Sequence, residues 1–188
     1  MEFMKLPKTL NIEGEDREIN SDFRPCFGIM QVFERGDLTG AEKLIAMVEI
    51  LFRDDVPPEL LDEAINKAWW FLDCGKFTEH KQAYEHGKLY SWEQDEAFII
   101  SAVDRTTGIS CRSIEYLHWW DFMAALMECK ECTFSTLIHQ RKLRRQGKQN
   151  KWDKEWWAEN RSIAELKNKI TLTQEEQTKL NEFNKLLG

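Results

Sequence analysis

Apolar side chains recur at helical spacing along most of this chain, and they are densest over residues 113–129. At about 100° per residue, the large apolar groups of this stretch cover almost the whole circumference of a helix. Asp121 and Glu128 share one narrow polar stripe. A helix that is apolar on nearly all sides is expected at the centre of a domain, covered by other elements. The pattern therefore predicts a central helix over 113–129.

Shorter amphipathic segments surround this stretch on both sides, and each is bounded by capping residues, glycine or proline. They predict helices over residues 21–35, 39–53, 59–73, 91–105, 133–147 and 152–168, and a last helix that begins at Thr173. Ser91 with Gln94, and Thr173 with Glu176, have the spacing of a capping box. Thr133 is the expected N-cap of the helix after the central one.

Two segments depart from the helical pattern. In residues 6–20, Leu10 and Ile12 alternate with polar residues, and a turn follows at 13–16. Ile19 is the apolar residue of the strand that runs back after the turn. This alternation predicts a β-hairpin, which must lean on the helices or pair with another chain. Residues 76–90 are polar and weakly periodic, so we expect them to form a connection between helices.

Together these elements predict a mainly α fold. We expect a compact multi-helix domain around the central apolar helix, with a short N-terminal β-hairpin and a C-terminal helical hairpin. The composition becomes more charged after residue 147. We therefore divide the chain into a helical domain, 1–147, and an appended charged helical hairpin, 148–188.

Composition and charge narrow the functional classes. Hydrophobic residues make up 42% of the 188 residues, which is unlike a disordered chain. The net charge of −7 argues against general nucleic-acid binding. No apolar run approaches the roughly 20 residues that a membrane-spanning helix needs. We therefore expect a cytoplasmic protein without a membrane partner.

Few residues offer chemistry, and each has a simpler structural explanation. Cys129 and Cys132 have the CxxC spacing of zinc half-sites and thiol redox motifs, but no second pair completes four zinc ligands. His118 and Asp121 lie three residues apart on the central helix, where a buried histidine held by a carboxylate is the favoured interpretation. The sequence therefore predicts free thiols, no metal, no cofactor and no enzymatic activity.

One basic run precedes a group of tryptophans. Its members are Arg141, Lys142, Arg144, Arg145, Lys148 and Lys151. This run has two interpretations: a nucleic-acid patch, or a surface that pairs with an acidic protein partner. Trp156 and Trp157 point about 100° apart on a helix, so one of them is expected at an interface. We expect Arg141, Arg144, Arg145, Trp156 and Trp157 to be exposed partner-binding residues.

The central stretch also resembles a known signature. Residues 117–126, LHWWDFMAAL, resemble the "LHWW-x-F-x-x-L" signature of a phage tail protein family from long-tailed phages and prophages of Gram-positive bacteria. Residues 6–7, 11–14 and 18–24 resemble the opening of that family, including its "IN-T/S-DFR" segment. Residues 92–99 and 133–141 resemble the segments on either side of the signature. The chain departs from the family at 109–111, where other members carry an Asp-Leu pair.

The resemblance implies a non-enzymatic role in tail assembly. Members are encoded beside the tape-measure protein and are thought to be tail assembly chaperones that bind it in the host bacterial cytoplasm. The tail-tube protein is a second candidate partner, and self-association is expected. His118, Trp119, Trp120 and Phe122 would then define the fold. The alternative is a nucleic-acid-binding phage regulator that uses the basic run at 141–151.

Overall fold

The computed structural model describes residues 5–76 and 88–167. Its N-terminal element is the expected antiparallel hairpin, in which β1 (Thr9–Ile12) pairs with β2 (Glu15–Glu18). Glu13 and Gly14 form a two-residue turn and both have positive φ, which is the turn geometry that matches the right-handed twist of a hairpin. Leu10 and Ile12 are buried against the helices, so the predicted inward face of the hairpin is confirmed.

Helices account for most of the remaining described residues, and the predicted mainly α fold is confirmed. They are α1 (Phe23–Glu34), α2 (Gly40–Leu51), α3 (Leu61–Leu72), α4 (Glu96–Thr107), α5 (Trp119–Glu128), α6 (Thr133–Arg145), α7 (Lys151–Glu159) and α8 (Arg161–Ala164). A 3-10 turn, Pro58–Leu60, leads into α3. None of the helices in residues 5–76 and 88–167 is long and apolar enough to cross a membrane.

Local capping explains where the first helices begin. The Asp22 carboxylate accepts a hydrogen bond from the Arg24 backbone N–H at 3.0 Å, which satisfies one of the free donors at the start of α1. Thr39 and Glu42 form a complete capping box at the start of α2. At α6 the cap is Cys132 rather than the expected Thr133, because the Cys132 sulfur accepts the Ser135 N–H.

The prediction for the central helix is wrong at its N-terminus. The helix begins at Trp119, and residues 113–118 reach it as irregular chain. His118 is the N-cap, and its ring nitrogen accepts the Trp120 backbone N–H at 3.0 Å. The expectation that other elements cover α5 on nearly all sides is also wrong for the described residues, since Met127 is 65% exposed.

The core lies between α5 and the helices that precede it. Trp119 and Phe122 are fully buried, and their rings stack with centroids 5.7 Å apart. Phe23 of α1 stacks on the other side of Phe122, with centroids 4.7 Å apart and nearly parallel planes. A smaller buried cluster joins α6, α7 and α8 and consists of Leu137, Trp157 and Ala164.

The C-terminal part is also shorter and more broken than expected. The single helix predicted over 152–168 is two helices, α7 and α8, with a break at Asn160. The Asn160 side chain donates to the Trp156 carbonyl at 2.9 Å, which caps the end of α7. The helix predicted from Thr173 lies outside the described residues, as does most of the 76–90 connection. The division of the chain at residue 147 stays a prediction.

Candidate functional site

Three segments that carry the family resemblance meet around His118. The Phe23 N–H donates to the Leu117 carbonyl, and the Trp119 N–H donates to the Ser21 carbonyl, each at 2.9 Å. The Asp22 carboxylate, which caps α1 with one oxygen, accepts the Leu117 N–H with the other at 3.0 Å. We call this contact of residues 7, 21–24 and 117–120 the motif junction. It joins the start of α1 to the start of α5.

His118 is 1% exposed and holds two parts of the motif junction together. Nδ1 accepts the Trp120 N–H, and Nε2 lies 2.9 Å from the Pro7 carbonyl. Since a carbonyl only accepts, these contacts require the neutral ring with its proton on Nε2. Burial lowers the pKa of His118, although the Pro7 carbonyl acts in the opposite direction. This histidine is therefore a helix cap and a strut to the N-terminal segment.

Arg24 fixes the irregular chain before α5. Its guanidinium group donates to the Cys111 carbonyl at 2.9 Å and to the Ile114 carbonyl at 2.6 Å. The same group pairs with Asp22 at 3.0 Å. The guanidinium group therefore occupies carbonyls that a helix over 113–118 would turn toward its own N–H groups.

The two adjacent tryptophans at the start of α5 both hydrogen-bond to the C-terminal end of α3. Trp119 Nε1 donates to the Leu72 carbonyl at 3.0 Å, and Trp120 Nε1 donates to the Phe71 carbonyl at 2.8 Å. The last carbonyls of a helix lack a partner inside the helix, and the Trp119 indole supplies one to Leu72. The Phe71 carbonyl accepts the Cys74 backbone N–H at 3.1 Å as well as the Trp120 indole. Gly75 allows the close approach: it has φ +80°, and an added Cβ would lie 3.1 Å from the Trp120 ring. These two indoles therefore have a structural use.

Arg141 differs from its expected place at the surface. It is 5% exposed and makes a bidentate ion pair with Asp95, at 2.6 and 3.0 Å, and Asp95 is 0% exposed. The remaining guanidinium donors reach the carbonyls of Leu89, Ile163 and Ala164 at 3.2, 2.8 and 2.7 Å. All five N–H groups of the guanidinium are thus used inside the protein. The expectation of exposure is wrong, since Arg141 ties α6 to the start of α4 and to α8.

The tryptophans after the basic run divide by exposure. Trp157 is 7% exposed and lies beneath the Arg144 guanidinium, at 4.4 Å from carbon to ring centroid, so its expected exposure is also wrong. Trp156 is half-buried. Trp152, one helical turn before it, is 77% exposed and is the most exposed large apolar side chain described. Trp152 is not among the predicted partner-binding residues, although it lies in the first turn of the same helix.

A basic and aromatic surface therefore remains where α6 meets α7. We call Arg144, Arg145, Lys148, Trp152 and Trp156 the α6–α7 surface. Its three cations are exposed, and the contact between Arg144 and Trp157 holds the end of α6 against α7. Tryptophan and arginine are both enriched among the central residues of protein interfaces.

Glu34, like Arg141, makes long-range hydrogen bonds that the sequence pattern does not predict. Its carboxylate accepts the Ser91 hydroxyl at 2.7 Å and the backbone N–H groups of Trp92 and Glu93 at 3.0 and 3.2 Å. The end of α1 thereby caps the turns that lead into α4. Glu34 is 57 residues from Ser91, so no local spacing signals the contact.

The five cysteines are free thiols, as expected. Within residues 5–76 and 88–167, no group of three or more histidine, cysteine, aspartate or glutamate side chains is placed to hold a metal ion. Burial raises the pKa of Cys74 to about 11 and that of Cys111 to about 12. These thiols are therefore protonated at neutral pH.

Comparison with known proteins gives one match. A protein-family model described as "Bacteriophage Gp15 protein" matches residues 4–166. The match spans the hairpin, the motif junction and the helices through α8, and it crosses residue 147. No curated protein and no solved structure matches this chain.

Proposed function

We propose that this chain, which belongs to the bacteriophage Gp15 protein family, is a non-enzymatic tail assembly chaperone. In this proposal it binds the tape-measure protein in the host cytoplasm. The observation that carries the proposal is the family match over 4–166, which indicates a phage structural or assembly protein. The tape-measure protein as partner rests on the resemblance of the LHWW stretch and of the segments around it.

The use of the unusual side chains supports a role without catalysis. His118 caps a helix and contacts Pro7, while the indoles of Trp119 and Trp120 cap another helix. Arg141 and Asp95 satisfy each other in the interior. Residues that would attract attention as catalytic groups therefore stabilise the fold, and the function falls to the exposed surface.

The α6–α7 surface is the best supported place for the partner. A tape-measure protein is a very long and largely helical chain, so a chaperone must cover apolar helical faces. Trp152 of α7 offers a large and rigid apolar contact, and Arg144 and Lys148, at and just after the end of α6, offer exposed positive charges. Binding must be moderate in strength, because tail-tube subunits displace the chaperone as they polymerise.

A binding assay with tape-measure fragments tests the proposal. The full chain, immobilised, is expected to retain overlapping helical fragments of the tape-measure protein encoded beside it. Trp152→Ser is expected to weaken binding at least about tenfold, because a central interface tryptophan contributes about 2 kcal/mol or more. Met127→Ser is the matched control, since Met127 is also highly exposed but lies on α5. Wild-type protein that retains no fragment would refute the proposed function.

The nucleic-acid alternative predicts a different response. If the basic run bound phosphates, affinity for DNA or RNA would fall steeply with salt concentration. One cation of the run, Arg141, is already used inside the fold by its ion pair with Asp95. We therefore expect no binding to DNA or RNA at physiological salt, measured by fluorescence anisotropy, and a steep salt slope would favour the alternative.

A further inference from the structure

Cys129 and Cys132 meet at the corner between α5 and α6. Cys129 is the C-cap residue of α5, and Cys132 is the N-cap residue of α6. The Cys132 sulfur accepts the Ser135 N–H at 3.4 Å, and the Cys132 N–H donates to the Ser135 hydroxyl at 3.0 Å. The side chains of Cys129 and Cys132 also lie close enough to interact electrostatically. The CxxC spacing therefore brings two thiols to one corner, with Cys132 at the N-terminus of α6.

Cys132 differs electrostatically from the other cysteines. Burial, the largest single effect, raises its pKa, but hydrogen bonds from Cys129 and from the Ser135 and Phe134 groups together hold the pKa below its ordinary value. Burial, followed by the contact with Cys132, raises the pKa of Cys129. A thiol with a lowered pKa next to one with a raised pKa is suited to thiol–disulfide exchange, because the first forms the attacking thiolate more readily.

Access also separates this pair from the buried thiols. Cys129 is half-exposed and Cys132 keeps 9% of its surface, whereas Cys26 and Cys111 are 0% and 1% exposed. Cys26 is held among core side chains, and burial raises its pKa strongly. The corner between α5 and α6 is therefore more accessible to a small reagent than the two core thiols are, chiefly through Cys129.

We propose that Cys129 and Cys132 form a reversible dithiol site that is oxidised by small disulfides such as glutathione disulfide. The Cys132 thiolate attacks one sulfur of the oxidant, which forms a mixed disulfide and releases one glutathione thiolate. Cys129 then loses its proton and attacks the Cys132 sulfur, which closes the intramolecular disulfide and releases the second glutathione thiolate. Two electrons pass from the cysteine pair to the oxidant.

Oxidation of the full chain in glutathione buffers tests this site. The folded protein is acid-quenched at increasing ratios of oxidised to reduced glutathione, then unfolded and alkylated, and its intact mass is measured. We expect three of the five thiols to remain alkylatable, and a single disulfide between Cys129 and Cys132. Reduced protein should react with iodoacetamide at Cys132 at least about tenfold faster than at Cys26 or Cys111.

Single variants separate the two chemical steps. Cys129→Ser should trap glutathione on Cys132, since no second thiol can close the disulfide. Cys132→Ser should take up no glutathione and form no disulfide, and it should fold because serine is a good N-cap. Cys111→Ser is the matched control and should still form the disulfide. Five alkylatable thiols in folded wild-type protein under the most oxidising buffer would overturn the proposal, as would glutathione uptake by Cys132→Ser.

Discussion

Replacing Arg141 with methionine should destabilise the protein strongly. The substitution keeps an apolar stem of similar length but removes five donors, two to Asp95 and three to backbone carbonyls. Asp95 would then be a carboxylate at 0% exposure, which still accepts the Ser91 N–H at 3.0 Å. An uncompensated buried charge is the main cost, because the carboxylate loses its hydration and its partner together.

The magnitude follows from breaking a buried ion pair. Removal of one partner typically costs about 3–5 kcal/mol, which is a large fraction of the roughly 5–15 kcal/mol that stabilises a domain. Because the guanidinium also holds the carbonyls of Ile163 and Ala164, α8 should lose its attachment as well. We therefore expect a folded variant with a much lower urea midpoint.

Urea denaturation followed by far-UV circular dichroism measures this change. Lys142→Met is the matched control, since Lys142 is the next residue on α6 and is exposed, and it should change stability by less than about 0.5 kcal/mol. The double variant Asp95→Leu with Arg141→Met should recover part of the loss, because it removes both charges. An Arg141→Met variant within about 1 kcal/mol of wild type would refute the reasoning.

Three further predictions concern the motif junction and the end of α3. Trp119→Ala should cost about 3–5 kcal/mol in urea denaturation, as for other truncations of large core side chains, and a loss below about 1 kcal/mol would contradict its place in the core. Gly75→Ala should cost about 1–2 kcal/mol in the same assay, because an L-residue is strained at positive φ, and an unchanged midpoint would show that the Trp120 ring and the backbone adapt freely. The pKa of His118 is lowered in the folded protein, so folding favours the neutral ring. The resulting stabilisation is complete above the ordinary pKa of 6.5 and is lost as the pH falls through the lowered pKa. The free energy of unfolding should therefore decrease between about pH 7.5 and about pH 5, and His118→Gln should flatten that slope.

Sequence patterns predicted the elements whose determinants lie close together in the chain. The hairpin follows from Leu10 and Ile12 with a turn after them, and the starts of α1 and α2 follow from Asp22 and from Thr39 with Glu42. Side chains within four residues of each other decide these features, so spacing alone identifies them. The predicted helices over 21–35, 39–53 and 59–73 agree with α1, α2 and α3 to within about two residues at every end.

The errors occur where a distant residue decides the outcome. Arg141 looks like one member of a solvated basic run, yet Asp95, 46 residues earlier, makes it an interior residue. The apolar pattern over 113–129 predicts one helix, but Arg24 holds the chain at Ile114 about 90 residues away and shortens it. Local spacing carries no information on such partners, because folding brings them together.

The sequence by itself determined a mainly α chain with an N-terminal hairpin and several capped helices, and its family match is to a bacteriophage protein family. Only the tertiary structure decided how these residues are used. It buried Arg141 beside Asp95 and left Trp152 exposed, because a buried charge is tolerated only when its donors are satisfied from several elements at once. It also made the tryptophan pair a cap for α3, since both indoles donate to carbonyls in the last turn of that helix.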